Sequence, residues 1–212
     1  MRSEPRIGRR RAHGVSAVVV TAFVAVHLAN HLVALAGVDA HGAFMHAARR
    51  VYRHPAVEAV LLAAVGLQLA SGLAMLATRR WPRAPLARWQ AVAGLALAAF
   101  LLVHVGAVVG ARSLLGLDTS FHFAAAGFHA GPWVWFFAPY YGLAVLAWFV
   151  HLGCAVQRRR RGVTGGWGFV GPAALLGAVV ALLIVGCLAG VLIPVDIPAP
   201  YLAPYQAIGL GH

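Results

Sequence analysis

The sequence contains no lysine, only five acidic residues and only two cysteines among its 212 positions. Each scarcity narrows what the chain can be. Charged residues make up 10% of it, whereas soluble domains carry roughly a quarter, so the surface of an ordinary soluble protein is excluded. Cys154 and Cys187 stand alone inside apolar stretches with no CxxC spacing, which makes each a small hydrophobe rather than a metal ligand. There is no phosphate-binding glycine loop, GxGxxG fingerprint, nucleophile elbow or HExxH pair, which argues against those nucleotide and hydrolase chemistries. The apolar runs carry no lysine or carboxylate at their centres, a poor match to an ion-coupled transporter with a charged relay.

What the chain has instead is hydrocarbon. Hydrophobic residues make up 61%, gathered into five runs at about Val15–Gly37, Pro55–Thr78, Trp89–Arg112, Val134–Gln157 and Phe169–Ile193. Runs of about 20 apolar residues match the thickness of a bilayer. The start, "RIGRRRAHGVSAVVV", resembles a signal peptide, but its apolar run of about 22 residues exceeds the 7–15 of a signal core. It reads as a retained helix. The fold class expected is therefore all-α, an integral membrane bundle of five helices over residues 15–193 in contact with the lipid bilayer. A basic segment precedes it at 1–14, and a Pro-rich tail follows at 194–212.

The net charge of +12 comes from 17 arginines lying mostly between the runs. That placement signals topology and does not build a nucleic-acid face. Thirteen fall on one side: Arg2, Arg6, Arg9, Arg10 and Arg11; Arg79, Arg80, Arg83 and Arg88; and Arg158 to Arg161. The other side has Arg49, Arg50, Arg53 and Arg112. The positive-inside rule places the N-terminus in the cytoplasm and the C-terminus outside, most simply in a bacterial cytoplasmic membrane.

Eleven histidines complete the inventory. His41, His46, His54, His122 and His129 fall in the outer loops, where solvated imidazole is the ordinary reading. His13 and His212 lie near the ends. His27, His31, His104 and His151 lie within spans, where an imidazole commonly bonds a neighbouring helix. Helical rise puts His27 and His104 at about one depth on different helices and His151 nearer the arginine-rich side. Two imidazoles facing each other across a dry bundle are what a b-type haem requires. His31, one turn beyond His27, either replaces it as a ligand or meets a haem propionate. As an i, i+4 pair, His27 and His31 also have the spacing of a transition-metal site.

The succession "VHLANHLVALAG", "RVYRHPAVEAVLLAAVGLQLASGL", "RWQAVAGLALAAFLLVHVGA" and "YYGLAVLAWFVHLG" resembles the cytochrome b membrane subunit of succinate dehydrogenase and fumarate reductase, in its five-helix, single-polypeptide form. The resemblance covers residues of about 15 to 155. It implies a non-catalytic electron-carrying anchor that exchanges electrons with quinone and docks cytoplasmic flavoprotein and iron–sulfur subunits. In that family two axial histidine pairs hold two haems. His27 and His104 match the outer pair; His151 matches one member of the inner pair. Gln68 stands where the other inner histidine belongs, so one haem b is expected and the second ligand pair is broken. His151 then becomes a hydrogen-bonding group, with Gln68 as its expected partner.

Glu58 matches an acid that the resemblance associates with the quinol site, and a carboxylate there can accept protons. An ion pair with Arg53 or Arg50 is the simpler account of it. The stretch Thr119 to Trp133, "TSFHFAAAGFHAGPW", reads as an interfacial cover. Trp133, Trp135, Tyr140 and Tyr141 read as an aromatic belt. The reading of a different class is a haem-free helical scaffold or assembly protein in which the histidines are structural.

Overall fold

The computed structural model describes residues 4–78, 81–161 and 167–207. Arg2, Arg79 and Arg80, counted in the orientation, and His212 lie outside these residues. Among the described residues eight α-helices follow in order: α1 (Glu4–Val33), α2 (Val38–Tyr52), α3 (Pro55–Ala77), α4 (Pro85–Leu114), α5 (Phe121–Ala126), α6 (Val134–Arg161), α7 (Val170–Leu188) and α8 (Ala199–Ala207). No strand occurs among the described residues. The helices α1, α3, α4, α6 and α7 are long and apolar enough to cross a membrane. Large apolar side chains such as Leu102, Leu143 and Leu182 point outward from them. Lipid tails can cover such a surface and water cannot do so cheaply.

Local chemistry sets the boundaries. Pro55 and Pro85 occupy the first turns of α3 and α4, each after a residue in extended conformation, where proline loses no helical hydrogen bond. The helix expected from Val15 in fact begins by Glu4. Nothing between Glu4 and Val15 stops it, because the arginines there are good helix formers. At the other end, α7 stops at Leu188 rather than Ile193. Val191 and Leu192 turn back to donate to the Gly186 carbonyl at 2.9 and 3.1 Å. Gly37, with φ of 110°, makes the corner between the short turn Ala34–Ala36 and α2, a conformation that side chains with a Cβ rarely adopt.

The spans form two packing groups. In one, α1 lies along α3; in the other, α6 packs against both α4 and α7. Between the groups, α1 touches α7 and α3 touches α4 only sparsely. The main core joins α6 and α7 to α5, with Phe121, Val145, Ile184 and Leu188 buried together. The segment expected to lie on the membrane surface is therefore a wedge: Phe121 is 2% exposed and Ala125 fully buried. Its small and aromatic residues carry no charge that would hold it in water, and α5 packs on α7, α2 and α8.

Candidate functional site

The gap between the two packing groups is a cavity of about 1200 Å³. It runs from an end lined by Arg10, His13, Gln90 and Arg158 to an end lined by Arg49, Arg53, Glu58 and Arg112. Its walls are mostly apolar side chains of α1, α3 and α4.

His27 of α1 and His104 of α4 face each other across this cavity, with ring centres 6.1 Å apart and planes at 64°. Neither ring has a hydrogen-bond partner among the described residues. Each is oriented by an aromatic neighbour one turn earlier on its own helix: Phe23 stacks on His27 at 5.6 Å and Phe100 on His104 at 4.9 Å. Tyr141 approaches His104 edge-on at 6.2 Å. Two imidazoles binding one ion from opposite sides at about 2 Å each have ring centres about 6 Å apart. The observed spacing therefore fits an axial pair, and the apolar walls fit a macrocycle around it.

His31 continues the series. Its ring lies 4.8 Å from that of His27 and 5.4 Å from that of His41, and its Nδ1 is buried with no partner. His41 is the first correction to the outer-loop reading. It is 2% exposed, on the inward face of α2 with Met45, Arg49 and Tyr52. Asn30 Nδ2 donates to His41 Nε2 at 3.1 Å. Two buried polar side chains thus satisfy part of each other's demand, where an unmet group would cost about 1–3 kcal/mol. Burial above all, then the charges of His27, Arg49 and His122, push the His41 pKa down to about 4. Its spacing with Met45 and Arg49 was the available signal, because i, i+4, i+8 places them on one helical face. His129 likewise departs from the solvated reading: its Nε2 donates to the Leu188 carbonyl at 3.0 Å and caps the end of α7.

At the arginine-rich end, His151 does not pair with Gln68. Its Nδ1 donates to the Gln90 carbonyl at 3.1 Å, and it packs so closely on Gly94 that a Cβ there would lie 3.1 Å from the ring. Gln68 is held from α1: Ser16 Oγ donates to its Oε1 at 2.6 Å, and its Nε2 donates to His13 Nε2 at 3.1 Å. His13 Nδ1 in turn donates to Ser71 Oγ at 3.0 Å. His13, set aside as near-terminal, is therefore part of the α1–α3 contact. The polar i, i+3 pair Gln68 and Ser71 on an otherwise apolar helix was the sign that something polar must face it.

Glu58 pairs with Arg112 rather than with Arg53 or Arg50. Arg112 Nη1 donates to Glu58 Oε1, and Nη2 lies 3.4 Å from Oε2. Arg49 pairs with Asp118 at 2.8 Å, and Arg53 Nη2 donates to Thr119 Oγ1 at 2.9 Å. Among the described residues no group of three or more His, Cys, Asp or Glu side chains is arranged to hold a bare metal ion. The His27–His31 pair thus gains no third ligand. Cys154 and Cys187 are buried free thiols. The chain matches no family model, no curated protein and no solved structure.

Proposed function

We propose that the chain is a membrane-embedded, cytochrome b-like electron carrier and anchor subunit that holds one haem b between His27 and His104. The observation that carries this reading is the spacing of two imidazoles without hydrogen bonds across an apolar cavity, 6.1 Å centre to centre. Bound there, the iron supplies one-electron transfer, with a potential set by its ligands and their dry surroundings. The chain's own residues do the rest. Phe23 and Phe100 fix the ligand rings in place, and the α1, α3 and α4 side chains keep water out. Glu58, at the mouth beside Arg112, would accept a proton from a quinol there.

One haem is favoured over two. Gln68 is bonded to Ser16 and His13, and both nitrogens of His13 are engaged, so neither is available to complete an axial pair with His151. In this reading the arginine-rich end faces the cytoplasm of a bacterial cell, as the positive-inside rule requires. There it docks the flavoprotein and iron–sulfur subunits of a succinate dehydrogenase- or fumarate reductase-like complex, and quinone reacts near the opposite face. The second reading, a haem-free scaffold, is favoured by His13, His129 and His41, each of which joins two segments by a hydrogen bond.

A dithionite-reduced minus oxidised spectrum of detergent-purified protein, made with ample haem, separates the two. A b-type band at one haem per chain is the expected result. Haem-free protein of normal yield and elution overturns the proposal in favour of the scaffold.

A further inference from the structure

The mouth of the cavity beside α2 has more guanidinium than carboxylate. Arg49, Arg53 and Arg112 line it, and Thr119 and Ser120 with them. Glu58 is taken by Arg112 and Asp118 by Arg49. Arg53 is in no ion pair among the described residues; the Thr119 hydroxyl is its hydrogen-bond partner. Arg49 is itself under-used: its side chain is 13% exposed, and its Nε is buried with no partner. A guanidinium offers five N–H donors in a planar fork suited to a carboxylate. Burial first, then the neighbouring Arg49 and Arg112, lower the Arg53 pKa, so an anion at this place would relieve it.

The geometry points to Arg53, together with Arg49 one turn before it on α2, as a clamp for the carboxylate arms of the haem held by His27 and His104. This inference rests on the haem reading. The same cavity joins the two imidazoles to the clamp. Arg112, on the clamp's rim, lies two turns beyond His104 on α4, about 12 Å along the axis. An acid arm at the macrocycle's edge and an arginine side chain reaching toward it can together close that separation. Glu58 cannot serve the same purpose, since it repels a carboxylate and already occupies Arg112. The surplus guanidinium is what remains to be matched.

The test uses full-length protein made under haem limitation and loaded in detergent with either haem or its dimethyl ester, which lacks the two negative charges. Wild type is expected to bind haem more tightly than the ester by on the order of tenfold, the value of about one charge-assisted hydrogen bond. Arg53→Gln should shrink that difference by weakening haem without weakening the ester. Arg53→Lys should keep part of the difference, and Arg50→Gln, on the exposed side of α2, should keep all of it. Equal affinities in wild type, or an unchanged ratio in Arg53→Gln, would overturn the clamp while the b-type spectrum leaves the haem reading intact. If wild type binds neither compound, the haem reading fails and the clamp fails with it.

Discussion

Gln68 of α3 is bonded to His13 of α1 at 3.1 Å, although the two residues lie 55 positions apart. With Ser16 and Ser71 they form a polar contact inside an apolar helix pair. Interhelical hydrogen bonds in membranes average about 0.6 kcal/mol and reach about 1.7. Gln68→Leu should therefore lower the thermal stability of the detergent-solubilised protein by roughly that scale, while leaving its haem content unchanged. A stable Gln68→Leu protein that lost haem would make Gln68 part of the binding site.

The axial pair is tested by truncation. His27→Ala and His104→Ala should each abolish the b-type band. His151→Ala should spare it, because His151 holds the Gln90 carbonyl at the other end of the cavity. Loss of the band in His151→Ala alone would assign the ligands to the arginine-rich end.

His41 gives the protein an acid limit. Its pKa falls from 6.5 to about 4 on folding, chiefly through burial, so the unfolded chain binds the proton more readily. The stability it contributes is complete above about pH 6.5 and declines as pH falls toward 4. Melting temperatures measured across this range should drop on the acid side. His41→Gln should make that drop shallower, at the cost of a lower plateau at neutral pH. An equally steep acid drop in His41→Gln would assign the effect to other groups.

Glu58 and Arg112 are each about 30% exposed on their side chains, so solvent screens the pair. A double-mutant cycle with Glu58→Gln and Arg112→Gln should return a coupling of about 1 kcal/mol or less in stability. If the carboxylate accepts the quinol's proton as proposed, quinol-dependent reduction of the haem should slow in Glu58→Gln by more than the small stability change explains. Unchanged reduction kinetics would leave Glu58 as an ion-pair partner only.

The five spans were legible because hydrocarbon runs of bilayer length have one physical meaning. The juxtaposition of His27 and His104 was legible for a related reason: helical rise fixes depth once the ends of a span are known. The polar contacts were harder to read. Histidines in short links look solvated, yet His41 lies on the inward face of a short helix, and a run of 15 residues between two spans gives no bilayer-length signal. Likewise His13 seemed peripheral because the basic segment 1–14 was placed outside the helical bundle. Its arginines instead extend α1 by nearly three turns, and this carries His13 alongside Gln68. The α5 wedge was missed because an uncharged aromatic stretch suits a membrane surface and a protein core equally well.

The division of the bundle into two packing groups bears on how the molecule is made. His27 belongs to the group formed first along the chain, α1 with α3, and His104 to the group completed only when α6 and α7 have followed α4. Each group can close its own contacts during synthesis without the other. A haem gripped by both histidines, as proposed, would act as the keystone between these halves, so its loss would loosen the seam before it unravelled either side.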